Sequence, residues 1–214
     1  MTIAIFDLDN TILEGDIEWL WGEYLIDKKL AGPDFLQNMM YYFQLYQLGT
    51  LEIREYQRFF HKPLVRMDGS ALNSLLEDFF KKVEKLWRPA MLERIEWHNG
   101  QGHTPLLVSA SSSFLVEPVS KKLGFHHTIC SQSEMLNGVP TGEITGIPAY
   151  QDGKVQNLLV WQLDNAASLE DSWAYGDSIN DIPVMEKTEH PVAVTPDLAL
   201  RKYAMLKGWR IMDL

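Results

Sequence analysis

TIAIFDLDNT, residues 2–11, carries an apolar run straight into two aspartates spaced by one residue. The run reads as a short, fully buried strand, and residues two apart in extended chain face the same way, so Asp7 and Asp9 reach one site as the strand ends. Carboxylates beside a buried strand are costly unless hydrogen-bonded, paired or bound to metal. Two adjacent carboxylates can divide a reaction, one attacking and one shuttling protons. Their mutual repulsion is relieved by a cation between them. A solvated loop is the plain alternative. A calcium loop is a third, with Asp7, Asp9, Thr11 and Glu18 as ligands. Against it, Ile12 stands where that loop needs glycine, and strand rather than helix precedes Asp7.

From Gly15 to about Trp87 the pattern is helical throughout: DIEWLWGEYLIDKKL, FLQNMMYYFQLYQLG, LEIREYQRFF and ALNSLLEDFFKKVEKL. Breaks fall at Gly32-Pro33, Gly49, Pro63 and Gly69. Beyond it, strands and helices alternate. TPLLVSA, HTIC, SWAYG and PVAVT read as strands; RPAMLERIEWHNGQG, SFLVEPVSKKLG, GKVQNLLVWQL, DIPVMEK and LALRKYAMLKG read as helices. EMLNGVPTGEIT reads as a hairpin. Such alternation predicts an α/β fold with a parallel sheet between two helical layers, a Rossmann-like three-layer α/β/α core. The expected division is a core of residues 1–14 and 88–214, with residues 15–87 as an all-helical cap inserted after the first strand.

Open parallel sheets place their sites at the carboxyl ends of strands. Three further candidates stand there. Ser109 closes a strand and suits a phosphate oxygen at a strand-to-helix turn, or is an ordinary helix cap. Lys154, in DGKV, neutralises a phosphoryl group if it reaches the site and is otherwise a solvated lysine. GDSIND, residues 176–181, offers Asp177, Asn180 and Asp181, hard oxygen ligands of the kind Mg²⁺ takes, or a polar turn.

The 214 residues carry 19 basic and 29 acidic side chains, a net charge of −10, which argues against a nucleic-acid surface. No apolar run is long enough to span a membrane, and no signal peptide is visible. Cys130 is the single cysteine, which fits a reducing cytoplasm. Oligomeric state is not encoded in any visible pattern.

The order of acid pair, Ser109, Lys154 and GDSIND resembles the haloacid dehalogenase superfamily of phosphatases, in particular its phosphoserine-phosphatase branch. Closer still are the histidinol-phosphatase-like members sharing FDLDNT-x₃-GD-x₄-WG and a late PVAV-x-PD. The resemblance implies a nucleophile at Asp7, which becomes an aspartyl phosphate, and a general acid and base at Asp9. It implies Mg²⁺ on Asp7, the Asp9 carbonyl and Asp177, with Asp181 holding its waters. Ser109, Lys154 and Asn180 would bind phosphoryl oxygens. In the cap, Asp16 aligns with an acid that binds a substrate ammonium, Glu18 lies two residues on, and Arg58 aligns with an arginine that binds a carboxylate. Two acids and aromatic walls suit a cationic ring and an amine, so histidinol phosphate ranks first among small phosphorylated metabolites, with phosphoserine or a broad range behind it. A non-catalytic cation-binding module of the same fold, and phosphotransfer to an acceptor other than water, remain as alternatives.

Overall fold

The computed structural model describes residues 2–214. β1 (Ile3–Phe6) is buried at every position, as an apolar run covered on both faces requires. Four helices follow it: α1 (Ile17–Asp27), α2 (Pro33–Gln47), α3 (Ile53–His61) and α4 (Gly69–Val83). The chain then alternates through α5 (Pro89–Gly100), β2 (Thr104–Ser112), α6 (Ser113–Lys122) and β3 (His127–Ser131). A hairpin of β4 (Ser133–Leu136) and β5 (Val139–Ile144) comes next. It turns at Asn137-Gly138, both with positive φ (53° and 80°), as the favoured two-residue hairpin turn demands. The remainder is α7 (Asp152–Asp164), β6 (Trp173–Gly176), α8 (Ile182–Met185), β7 (His190–Val194), α9 (Leu198–Lys207) and β8 (Arg210–Met212).

The main sheet has six strands in the order β3-β2-β1-β6-β7-β8, every pair parallel. β1 is central, and the chain leaves it first toward β2 and later toward β6, so the crevice at its carboxyl end is the topological switch point. Alternate residues of β1 serve opposite faces. Ala4 and Phe6 pack in a core with α5, α6 and the helices α1–α4; Ile3 and Ile5 pack in a second core with α7, α8 and α9. The expected three layers are therefore present.

Helices α1–α4 are not independent of the sheet layers, because their apolar residues belong to the first of these cores. Phe114, at the start of α6, is the seat: Trp21, Phe60 and His61 have ring centroids 6.0, 6.3 and 5.2 Å from it. The hairpin joins them too. Arg54 of α3 donates to the carbonyls of Ile144 and Gly146, each at 2.6 Å. β8 has no counterpart in the sequence reading: it is three residues long, too short for a recognisable pattern.

Candidate active site

Asp7 follows β1 directly, and its amide donates to the Tyr175 carbonyl of β6 at 2.9 Å, which fixes the two strand ends side by side. Asp177 follows β6, and Asp181 folds back beneath it. A Cβ at Gly176 would lie 2.7 Å from the Asp181 side chain, so this return is open only to glycine. Asp181 Oδ2 accepts the amides of Asp177 and Ser178 at 3.2 Å each. Carboxylate oxygens of Asp7, Asp177 and Asp181 lie within 4.8 Å of one another. Lys154 enters from the first turn of α7, where Gly153 packs so tightly on the Pro148 carbonyl that a Cβ would reach 1.9 Å. Its ammonium is 2.9 Å from Asp7 Oδ1 and 2.6 Å from Asp181 Oδ1.

The electrostatics are those of an acid cluster with too little positive charge. Burial, then the neighbouring Asp181, push the Asp7 carboxyl well above the usual carboxylate range against the pull of Lys154. Burial, Asp7 and Asp181 do the same to Asp177. Burial works against the Lys154 ammonium, but Asp181 and Asp7 overcome it and hold its pKa well above the ordinary lysine value. One ammonium among three clustered carboxylates, Asp7 and Asp181 buried and Asp177 half-buried, leaves negative charge that a divalent cation with oxygen ligands would neutralise, so this donor set fits Mg²⁺.

Asp9 lies beside this cluster with its oxygens separately held. Oδ1 accepts the Ile17 amide at 2.7 Å; Oδ2 accepts the hydroxyls of Ser111 at 2.8 Å and Ser109 at 3.2 Å. Burial raises its pKa and these three donors oppose the rise. Ser109 thus comes to the site, fully buried. Asn180 also comes to its edge, but its side chain ties to Gln151 and to the Tyr46 carbonyl of α2, at 3.5 and 3.4 Å.

Over the carboxylates, α1–α3 close a pocket of about 50 Å³, room for only a few waters. Its acidic lining is Asp7, Asp9, Asp16 and Glu18; its aromatic lining is Trp19, Tyr42, Phe43, Tyr46 and Tyr56. Among the described residues no lysine, arginine or histidine lines it. Burial, then Asp9 and Glu18, hold Asp16 well above its ordinary pKa. A neighbouring cleft of about 240 Å³ shares Asp7, Asp9 and Asp16 and adds Asp177 and Arg88.

Two expected cap residues stand differently from the sequence reading. Arg58 does not reach the pocket: it faces outward on α3, more than half exposed, and pairs with Glu143 of β5 at 2.7 Å. The aligned arginine position is one residue along the helix from the inward-facing Gln57, and that step turns it away. Glu18 borders the pocket, but its Oε1 is occupied by Gln57 and Ser112. Ser111, Ser112, Gln57 and Gln151 were not singled out by sequence. For Ser111 a signal existed, since it lies two residues beyond Ser109 and extended chain sends both to one face.

The family model of the haloacid dehalogenase-like hydrolases matches residues 4–186. A histidinol-phosphatase of Neisseria meningitidis serogroup C is 32% identical over 99% of this chain and 98% of its own length. A phosphoserine phosphatase of Mycobacterium tuberculosis is 25% identical over 98% of this chain and 70% of its own. Among solved structures, a Bordetella pertussis protein of unknown function superposes with a TM-score of 0.90 at 28% identity, covering 100% of this chain and 99% of that one. A substrate-bound phosphoserine phosphatase superposes at 0.72 with 18% identity over 99% and 92% of the two chains, which speaks for the fold alone. With the match spanning all of Asp7, Ser109, Lys154 and Asp181, the chain belongs to the haloacid dehalogenase-like hydrolases.

Proposed function

We propose that this protein is a Mg²⁺-dependent phosphomonoesterase with histidinol phosphate as its substrate. The observation that carries the reading is the clustering of the Asp7, Asp177 and Asp181 carboxylates at adjacent strand ends, with the Lys154 ammonium paired to Asp7 and Asp181. The family and its phosphatase-named relatives support the same reaction class.

Asp7 attacks phosphorus in line; the Asp7 oxygen–phosphorus bond forms as the bond to the ester oxygen breaks. Asp9, protonated for this step, gives its proton to the departing oxygen, and its burial-raised pKa suits that task. Asp9 then takes a proton from the water that hydrolyses the aspartyl phosphate. Ser109 and Lys154 receive phosphoryl oxygens, with Asn180 at the edge. Asp7, the Asp9 carbonyl and Asp177 would hold Mg²⁺, with Asp181 behind them; the ion supplies charge neutralisation for the incoming phosphate. Residues 15–87 act as the cap, whose helices α1–α3 close over the carboxylates.

The substrate assignment rests on the pocket chemistry. Asp16 and the aromatic walls suit an amine and a cationic ring, whereas a substrate carboxylate in this pocket would meet acids and no lining cation, Arg58 being turned outward and Arg88 lying in the neighbouring cleft. The same features disfavour phosphoserine. A phosphate-release screen in Mg²⁺ with histidinol phosphate, phosphoserine and sugar phosphates tests this. Histidinol phosphate is expected to lead by about tenfold or more in kcat/KM, roughly 1.4 kcal/mol. Equal turnover of phosphoserine would overturn the assignment.

A further inference from the structure

The turn that carries Ser109 leaves the sheet. Val108 pairs with Ile129 and Ser112 with Ser131, so four steps along β2 match two along β3. Ser109, Ala110 and Ser111 therefore bulge out of the ladder, and something other than β-pairing must set their position. On the sheet side, Ser131 Oγ donates to the Ala110 carbonyl at 2.7 Å. On the other side the contacts come from the inserted helices. Glu18 Oε1, from α1, accepts the Ser112 amide at 2.9 Å and the Gln57 amide nitrogen, from α3, at 3.0 Å. Ser112 Oγ lies 2.5 Å from both Glu18 Oε1 and Gln57 Oε1. All three side chains are at most 5% exposed.

We propose that Glu18, Gln57 and Ser112 form a buried clamp through which α1 and α3 position the bulged phosphate-binding turn. These are positioning residues, and Glu18 serves the turn rather than the substrate's head group. The inference rests on the phosphomonoesterase reading of the site. Its logic is geometric. Ser112 is one residue from Ser111, which holds Asp9, and three from Ser109, so a shift of α1 or α3 moves the donors that meet the phosphoryl group. Seating of the helices and assembly of the phosphate site thereby become one event. A head-group ligand would discriminate between substrates; a clamp on the turn affects every phosphate ester alike.

The test compares kcat and KM in Mg²⁺ on histidinol phosphate and on p-nitrophenyl phosphate, which lacks a charged head group. Ser112→Ala and Glu18→Gln are each expected to lower kcat/KM by about tenfold on both esters, as loss of positioning near a reacting centre does. Ser112→Thr, which keeps the hydroxyl, should restore both to within about threefold of the parent. Gln57→Leu breaks the clamp from the helical side and answers to the same outcomes should Ser112→Ala not fold. A Glu18→Gln loss confined to histidinol phosphate would make Glu18 a head-group ligand and overturn the clamp. So would variants that leave both esters within about twofold of the parent. If the parent protein turns over neither ester, the phosphomonoesterase reading fails first and the clamp's role falls with it.

Discussion

Lys154 shows how much a single side chain does in this site. It is buried between Asp7 and Asp181, the only ammonium or guanidinium that contacts those acids among the described residues. Replacing it with methionine leaves buried carboxylates without their counter-charge. Lys154→Met is expected to slow phosphate release by about 10²-fold or more and to lower unfolding free energy by about 3 kcal/mol. Urea titration and steady-state kinetics read the two effects. Nothing in DGKV itself separates Lys154 from a solvated lysine; it is 147 residues from Asp7 in sequence, and only the parallel sheet brings the two together. Asp7, Asp9 and Asp177 were legible because the apolar strand immediately before each marks where its carboxylate emerges. Arg58 was misleading for the opposite reason. Helix phase decides which of two neighbouring residues faces inward, and alignment alone does not resolve a step of one residue.

Between elements, His61 reports on the seating of α3 against α6. It is fully buried, and neither ring nitrogen has a hydrogen-bond partner. Burial holds its pKa down to about 4, from an ordinary 6.5. Between these values the unfolded chain binds a proton that the folded chain does not, so His61 lowers stability as pH falls through this window. At pH 5 its contribution is a loss of about 2 kcal/mol relative to neutral pH. Asp7 and Asp177 act in the opposite direction, since raised carboxyl pKa values favour the folded state as pH falls. His61→Phe isolates the histidine's share: against the parent, its unfolding midpoint should fall less between pH 7 and pH 5. An unchanged difference would show that His61 is not buried neutral. The helices themselves were plain in the sequence. Their join to the sheet layers through Phe114, and to the hairpin through Arg54, was not, because each contact pairs residues far apart in the chain.

At the scale of the whole molecule, strand order puts carboxylates from the ends of β1 and β6 together with a lysine from α7, and the charge imbalance calls for a cation. Mg²⁺ at about a hundred times its dissociation constant should stabilise the protein by about 2.7 kcal/mol. That corresponds to a rise of roughly 5–10 °C in Tm for a chain of this size. Asp177→Asn should largely abolish the shift, and a thermal melt with and without the ion reads it. No described helix is long and apolar enough to cross a membrane. The most direct test of the account is phosphate release from histidinol phosphate by the parent protein and by Asp7→Asn, in Mg²⁺ and after EDTA. The account predicts turnover by the parent that EDTA abolishes, and at least a ~10³-fold loss in the variant. An Asp7→Asn protein within about tenfold of the parent would contradict it, because the nucleophile would then lie elsewhere.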